Sequence, residues 1–216
     1  MSKEINKRIL SSILLLPFTF FCIIKGSYFF YSLLIVIILI ASFEWHSMSK
    51  NKSYYYFGFL YLILSIFTVY KLRFDTINDF WTLLIIIIIC ILTDIGGFVF
   101  GKFFKGPKLI KYSPNKTYSG LIGSFLMPII FIPIILYPKF ISELEIINFI
   151  FFIFLISAAS QFGDLLISYF KRIANIKDTG RIIPGHGGLL DRIDGMLFAI
   201  PTSYVLISSN FFNFLK

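Results

Sequence analysis

Apolar residues along this chain gather into seven runs separated by short polar intervals. The runs are Ile9–Ile24, Ser27–Phe43, Tyr54–Tyr70, Phe80 to about Phe100, Tyr118–Tyr137, Ile146–Phe170 and Gly195–Leu215. Runs of this length and greasiness predict membrane-spanning helices. The first is short and contains Pro17. No small-residue cleavage pattern follows it and the next run starts almost at once, so it reads as a retained span. The third has tyrosines at both ends, where an aromatic belt sits, and the fifth contains Pro128 and Pro133.

The sixth run breaks the pattern. Ser157, Gln161, Asp164, Ser168 and Lys171 recur at alternating spacings of four and three. On a helix they share one face, while Phe162, Leu165, Leu166 and Ile167 cover much of the rest. A carboxylate in a span is costly and needs a reason. Helix packing around a satisfied polar core explains the stripe as well as function does.

Composition agrees with the runs. The chain is 57% hydrophobic and 14% charged, with a mean hydropathy of +0.85, whereas soluble domains carry about 25% charged residues. The expectation is an all-α polytopic membrane protein of about seven spans, forming one domain over 1–216. Within it, 9–93 is mainly scaffold and 94–216 carries the motifs. The net charge of +9 changes little. Seven spans place fifteen of the 20 Lys and Arg residues on one side and five on the other, which makes the first side, with the N-terminus, cytoplasmic. The basic balance is then accounted for without nucleic acid. Cys22 and Cys90 sit in apolar runs and suggest neither a disulfide framework nor a zinc site. His46 and His186 are the only histidines.

The residues that suggest chemistry fall on the cytoplasmic side. Asp164 lies near that end of the sixth span, with Asp191 and Asp194 at the start of the seventh. If Asp191 to Asp194 is a helical turn, two antiparallel spans bring three carboxylates together. Mg²⁺ is held by one or two carboxylates completed by water and substrate phosphates. Ordinary pairing with Arg192, Lys177 or Arg181 explains the two later aspartates at least as well. Lys102, Lys116, Lys171, Arg172, Lys177, Arg181 and Arg192 share that side and suit a phosphate leaving group. Attraction to anionic lipid accounts better for any single one of them. The run Pro184-Gly-His-Gly-Gly188 surrounds His186 with glycines that let backbone N–H groups approach a ligand, or it is a plain turn. Ser113-Pro-Asn115-Lys116-Thr117, followed by Gly120 and Gly123, reads as a phosphate-touching loop entering a helix, without the Gly-Lys-Ser/Thr end of a Walker loop. Asp94 with Gly96, Gly97 and Gly101 marks another acid among small residues, where close helix packing is the plain explanation.

Taken together, Ser168 to Asp194 resembles the signature of the phosphatidate cytidylyltransferases, or CDP-diacylglycerol synthases. The shared pattern is a Ser, Lys171-Arg172, Lys177-Asp178, then His186-Gly187-Gly188 and Asp191-Arg192-x-Asp194. Gln161-x-Gly163-Asp164-Leu165, Asp94 through Gly101, Ser113–Thr117 with Gly120, Leu16-Pro17 and Glu44-Trp45 also resemble that family. The chain departs from it at Gly97-Phe98, where Ala-Tyr is common, at Tyr118-Ser119, where Trp-Glu is common, and at Gly195, where Ser is frequent. It is also shorter than the longer members by one or two spans.

The resemblance implies transfer of CMP from CTP to phosphatidate with Mg²⁺, alone or with a second monovalent or divalent cation. It implies catalytic roles for Asp164, Lys171, Lys177, Asp178, Asp191, Arg192 and Asp194, with Asp164, Asp191 and Asp194 holding metal. Substrate contacts fall to Ser113, Asn115, Lys116, Thr117, Ser168, Arg172, His186, Gly187 and Gly188. A cytoplasm-facing site in the inner membrane and a homodimer are further expectations. A CTP-dependent lipid-alcohol kinase and a small transporter are the alternatives.

Overall fold

The computed structural model describes residues 2–75, 80–110, 113–136, 146–183, 185 and 187–209. It is a bundle of helices with one small hairpin. The elements are α1 (Ser2–Lys25), α2 (Ser27–Ser49), α3 (Tyr55–Phe74), α4 (Phe80–Phe104), β1 (Lys108–Ile110), β2 (Ser113–Thr117), α5 (Tyr118–Leu136), α6 (Ile146–Ile173) and α7 (Leu190–Ser208). The expected run ends Tyr137 and Leu215, together with Lys111 and His186, lie outside the described residues.

Four helices, α2, α3, α4 and α6, are long and apolar enough to cross a membrane. Shorter apolar stretches occupy Ile13–Lys25 in α1 and Tyr118–Ile134 in α5. Large apolar side chains such as Leu39, Phe43, Leu60, Ile134 and Ile147 are exposed on the outside of the bundle. That is the arrangement of a multi-pass membrane protein, whose outer face meets hydrocarbon.

Inside, two apolar clusters divide the bundle along its length. The larger contains Phe30, Leu72, Leu83, Ile86, Ile89, Phe149, Phe152, Ile153 and Ile156. At that far end Arg73 donates to the carbonyls of Ile23 at 2.8 Å and Ile24 at 3.4 Å, closing the break between α1 and α2 where Gly26 takes φ +65°. The smaller cluster joins Ala41, Trp45 and Met48 of α2 to Leu62 of α3, Ile167 of α6, and Leu190 and Leu197 of α7. It lies at the end where α2 and α6 finish and α7 begins.

Glycines set two of the helix seams. A Cβ at Gly96 would run into the carbonyl of Gly123, and one at Gly120 would come within 2.7 Å of the carbonyl of Gly97, so α4 and α5 meet backbone to backbone. A Cβ at Gly163 would lie 2.6 Å from the carbonyl of Asp194, and one at Gly195 would lie 2.5 Å from Ser160 Oγ. This second seam draws α6 and α7 close enough to put Asp164 beside Asp194. It also gives a reason for glycine at 195.

Two features differ from the sequence expectation. The connection after α4 is not a plain loop but an antiparallel hairpin, Lys108 opposite Thr117 and Ile110 opposite Ser113. Strands of three and five residues, Lys-Leu-Ile and Ser-Pro-Asn-Lys-Thr, carry no alternation long enough to announce them. In addition, α7 starts at Leu190, ahead of the expected Gly195, because its first turn is polar and invisible to a count of apolar residues.

Candidate active site

The site is assembled from four places in the chain. Hairpin strand β2 brings Lys116, α6 brings Gln161, Asp164, Ser168 and Lys171, the loop after α6 brings Thr179 and Gly188, and the first turns of α7 bring Asp191, Arg192 and Asp194. Thr117 places the hairpin on its helix, since its hydroxyl accepts the Gly120 N–H at 3.1 Å and starts α5. Ser119 Oγ meets Thr117 Oγ1 at 3.0 Å and donates to the carbonyl of Lys105, tying both legs of the hairpin together.

Lys116 reaches from the hairpin onto α6. Its ammonium lies 2.5 Å from Asp164 Oδ2 and 3.3 Å from Gln161 Oε1. Ser168, one turn further along α6, donates to Asp164 Oδ1 at 3.3 Å. Asp94 of α4 interacts electrostatically with Asp164, Lys116 and Arg192, and Asp194 with Asp164, Lys171 and Asp94. Three acids from three helices therefore share one region, and cations from three elements compensate them. Like charges this close repel unless cations intervene.

A turn further out, Lys171 Nζ pairs with Asp191 Oδ1 at 2.8 Å, the two side chains being only 11% and 9% exposed. Asp191 Oδ2 accepts the Thr179 N–H at 2.8 Å, the Thr179 hydroxyl at 3.1 Å and the Gly188 N–H at 3.1 Å. Both oxygens of Asp191 thus engage protein donors. Gly187, at φ +86°, pairs with Ile183 across a tight turn, and the Ile183 N–H donates to its carbonyl at 3.0 Å. Side chains there would crowd Asp191 Oδ2 and the Asp178 Cβ.

The predicted residues therefore fall into groups. Lys116, Asp164, Ser168, Lys171, Asp191 and Asp194 are brought together. Lys177, Asp178, Arg172 and Arg192 are exposed around the loop and the start of α7. Ser113 pairs with Ile110 at the turn end of the hairpin, and Asn115 lies on the same strand beside Lys116. Ser157, at the deep end of the polar stripe, is fully buried and accepts the Thr93 hydroxyl at 3.0 Å, so it joins α4 to α6 by packing. Sequence reasoning passed over Thr179, a small polar residue in a polar loop, and gave Asp94 no role.

Among the described residues, no three His, Cys, Asp or Glu side chains are arranged to hold a metal ion by themselves. Asp164, with Asp94 and Asp194 in electrostatic reach, offers the hard oxygen donors that suit Mg²⁺ when substrate phosphates complete the shell. Asp191 is engaged elsewhere.

The sequence model of the cytidylyltransferase family matches residues 6–90 and 55–210. The chain belongs to this family. A phosphatidate cytidylyltransferase of Rickettsia felis is 35% identical over 215 residues, covering 94% of this chain and 92% of its own length. Another from Rickettsia bellii is 36% identical, covering 92% and 89%. One from Staphylococcus haemolyticus is 40% identical over 117 residues, covering 54% of this chain and 45% of its own. Family membership thus covers both the helices that form the scaffold and the segments that meet at the site.

Proposed function

We propose that this protein transfers CMP from CTP to phosphatidate, forming CDP-diacylglycerol and pyrophosphate. The observation that carries the reading is the convergence of the two motif segments, with hairpin Lys116 on Asp164 and Lys171 on Asp191 about two turns further along α6. A phosphate oxygen of phosphatidate attacks the α-phosphorus of CTP, the bond to the bridging oxygen breaks, and pyrophosphate leaves with the electron pair. That oxygen is already a nucleophile, so no deep general base is required. The obstacle is repulsion between two anionic substrates, and preorganised cations lower it.

Lys116 and Lys171 pair directly with carboxylates. Arg192, Lys177 and Arg172 ring the exposed side, where nucleotide phosphates arrive. The Gly187-Gly188 backbone supports a headgroup or phosphate, and strand β2, which carries Ser113, Asn115 and Thr117, positions Lys116. Asp164 is our choice for the main carboxylate toward Mg²⁺, with Asp94 and Asp194 as neighbours and Asp191 chiefly organising the loop. When bound, Mg²⁺ supplies neutralisation of the pyrophosphate charge. Asp178 shapes the loop against Gly187. Seven spans with the N-terminus in the cytoplasm would put this end where a soluble nucleotide meets a bilayer lipid. The excess of basic residues on that side supports this topology.

The test uses purified protein in detergent with labelled CTP, phosphatidate and Mg²⁺. Formation of labelled CDP-diacylglycerol, dependent on phosphatidate, is expected. Phosphorylation of a lipid alcohol without that product would sink the reading.

A further inference from the structure

Outside the site, one buried ionisable group stands out. Glu44, near the end of α2, is 1% exposed. Its carboxylate reaches across the bundle to the start of α7, where Oε1 accepts the Leu189 N–H at 2.9 Å and Oε2 accepts the Leu190 N–H at 2.7 Å. Oε2 also accepts the Thr179 hydroxyl at 3.1 Å.

The first N–H groups of a helix have no partner within it. Ser, Thr, Asp or Asn at the preceding position usually satisfies one of them. Here that position is Leu189, whose side chain makes no capping bond. Glu44 supplies the cap from another helix, its carboxyl oxygens lying at the positive end of the α7 dipole.

The loop is built to admit this carboxylate. A Cβ at Gly180 would collide with Glu44 Oε1, and one at Gly188 would lie 2.7 Å from Glu44 Oε2. The Thr179 hydroxyl stands 3.1 Å from both Glu44 Oε2 and Asp191 Oδ2. It has one proton to donate and two carboxylates to serve. Glu44, Thr179 and Asp191 thus form a continuous chain from α2 to the Lys171 pair.

From this geometry we propose that Glu44 is a positioning residue for nucleotide binding. It fixes the start of α7 and the loop residues Thr179, Gly180 and Gly188, and thereby the placement of Asp191 and Lys171 toward the phosphates of CTP. The proposal rests on the cytidylyltransferase reading above. Glu44 touches no substrate and acts through Thr179 and the α7 backbone.

The experiment compares the wild type with Glu44→Gln, Glu44→Asp and Thr179→Val as full-length detergent-solubilised proteins. Hydrogen exchange reports on the geometry without any need for activity. In Glu44→Gln, protection at Leu189 and Leu190 should fall by about tenfold, while the middle of α2 keeps its protection. In the CTP assay, Glu44→Gln should raise the KM for CTP by about tenfold or more, with a smaller change in kcat. Glu44→Asp, shorter by one methylene, should restore only part of the loss. Thr179→Val keeps the helix cap, so it should raise the KM for CTP while leaving Leu189 and Leu190 protected.

Loss of protection with unchanged KM would make Glu44 a stability element and overturn the proposal. Unchanged protection in Glu44→Gln would overturn it as well. If Glu44→Gln does not fold, Thr179→Val decides, and an unaltered KM there overturns the proposal. A wild type that makes no CDP-diacylglycerol would refute the proposed reaction, and with it the kinetic role of Glu44. The exchange data would still decide whether Glu44 caps α7.

Discussion

At the scale of single residues, the carboxylates of this site do different work despite their shared chemistry. Asp164 contacts one lysine and one serine, whereas both Asp191 oxygens are occupied by Lys171, Thr179 and Gly188. Their substitutions should therefore fail differently. Asp164→Asn should raise the Mg²⁺ concentration giving half-maximal activity by at least about tenfold. Asp191→Asn should lower kcat/KM by about a hundredfold even at saturating Mg²⁺, because it loosens the loop that orients Lys171. Magnesium titrations of both variants measure the difference. A large magnesium shift in Asp191→Asn with none in Asp164→Asn would reverse the two roles.

The sequence showed Asp164 because a carboxylate within an apolar run is conspicuous, and Asp191 through its spacing from Asp194 and the motif it belongs to. It could not show what each one touches. Thr179 was passed over, and Glu44 was noted in the resemblance but given no role, for a related reason. Their partners are backbone N–H groups and a distant hydroxyl, and neither leaves a spacing pattern. Glu44 is separated from Leu190 by 146 positions.

At the scale of elements, the apolar runs located each helix among the described residues, four of them long and apolar enough to cross a membrane. They misplaced the polar ends. The first turn of α7 and the strands of the hairpin are polar, so hydropathy merged them with the connections. Glycine placement supplies a test here. A Cβ at Gly123 would collide with the Phe100 side chain and lie 2.7 Å from the Gly96 carbonyl, whereas at Gly97 the nearest atoms are an ordinary 3.7 Å away. Gly123→Ala should therefore destabilise the α4–α5 seam by about 1–3 kcal/mol. Gly97→Ala should be neutral or stabilising by up to about 1 kcal/mol, through helix propensity. Thermal unfolding in detergent reads both. Equal behaviour of the two variants would mean that the seam tolerates a methyl group and the helices are not held backbone to backbone.

For the whole molecule, the decisive question is which side of the membrane each end of the bundle faces. The chain is well suited to cysteine labelling, since it has 2 cysteines and both Cys22 and Cys90 are buried. Lys25, Lys52 and Lys102 are exposed. With the N-terminus inside, Lys25→Cys should react with a membrane-impermeant maleimide in intact cells. Lys52→Cys and Lys102→Cys should react only once the cytoplasmic side is opened. The opposite pattern would invert the topology and move the site away from cytosolic CTP.

The link between α2 and α7 also sets a clock on synthesis. Glu44 leaves the ribosome 146 residues before Leu190, the partner it caps. At about 5–20 residues per second, the wait is roughly 7–30 seconds. During that interval α2 is inserted with its carboxylate lacking those partners, and the early helices cannot close their final contacts. A chain that stops before α7 leaves that carboxylate without the two backbone donors that the complete fold supplies.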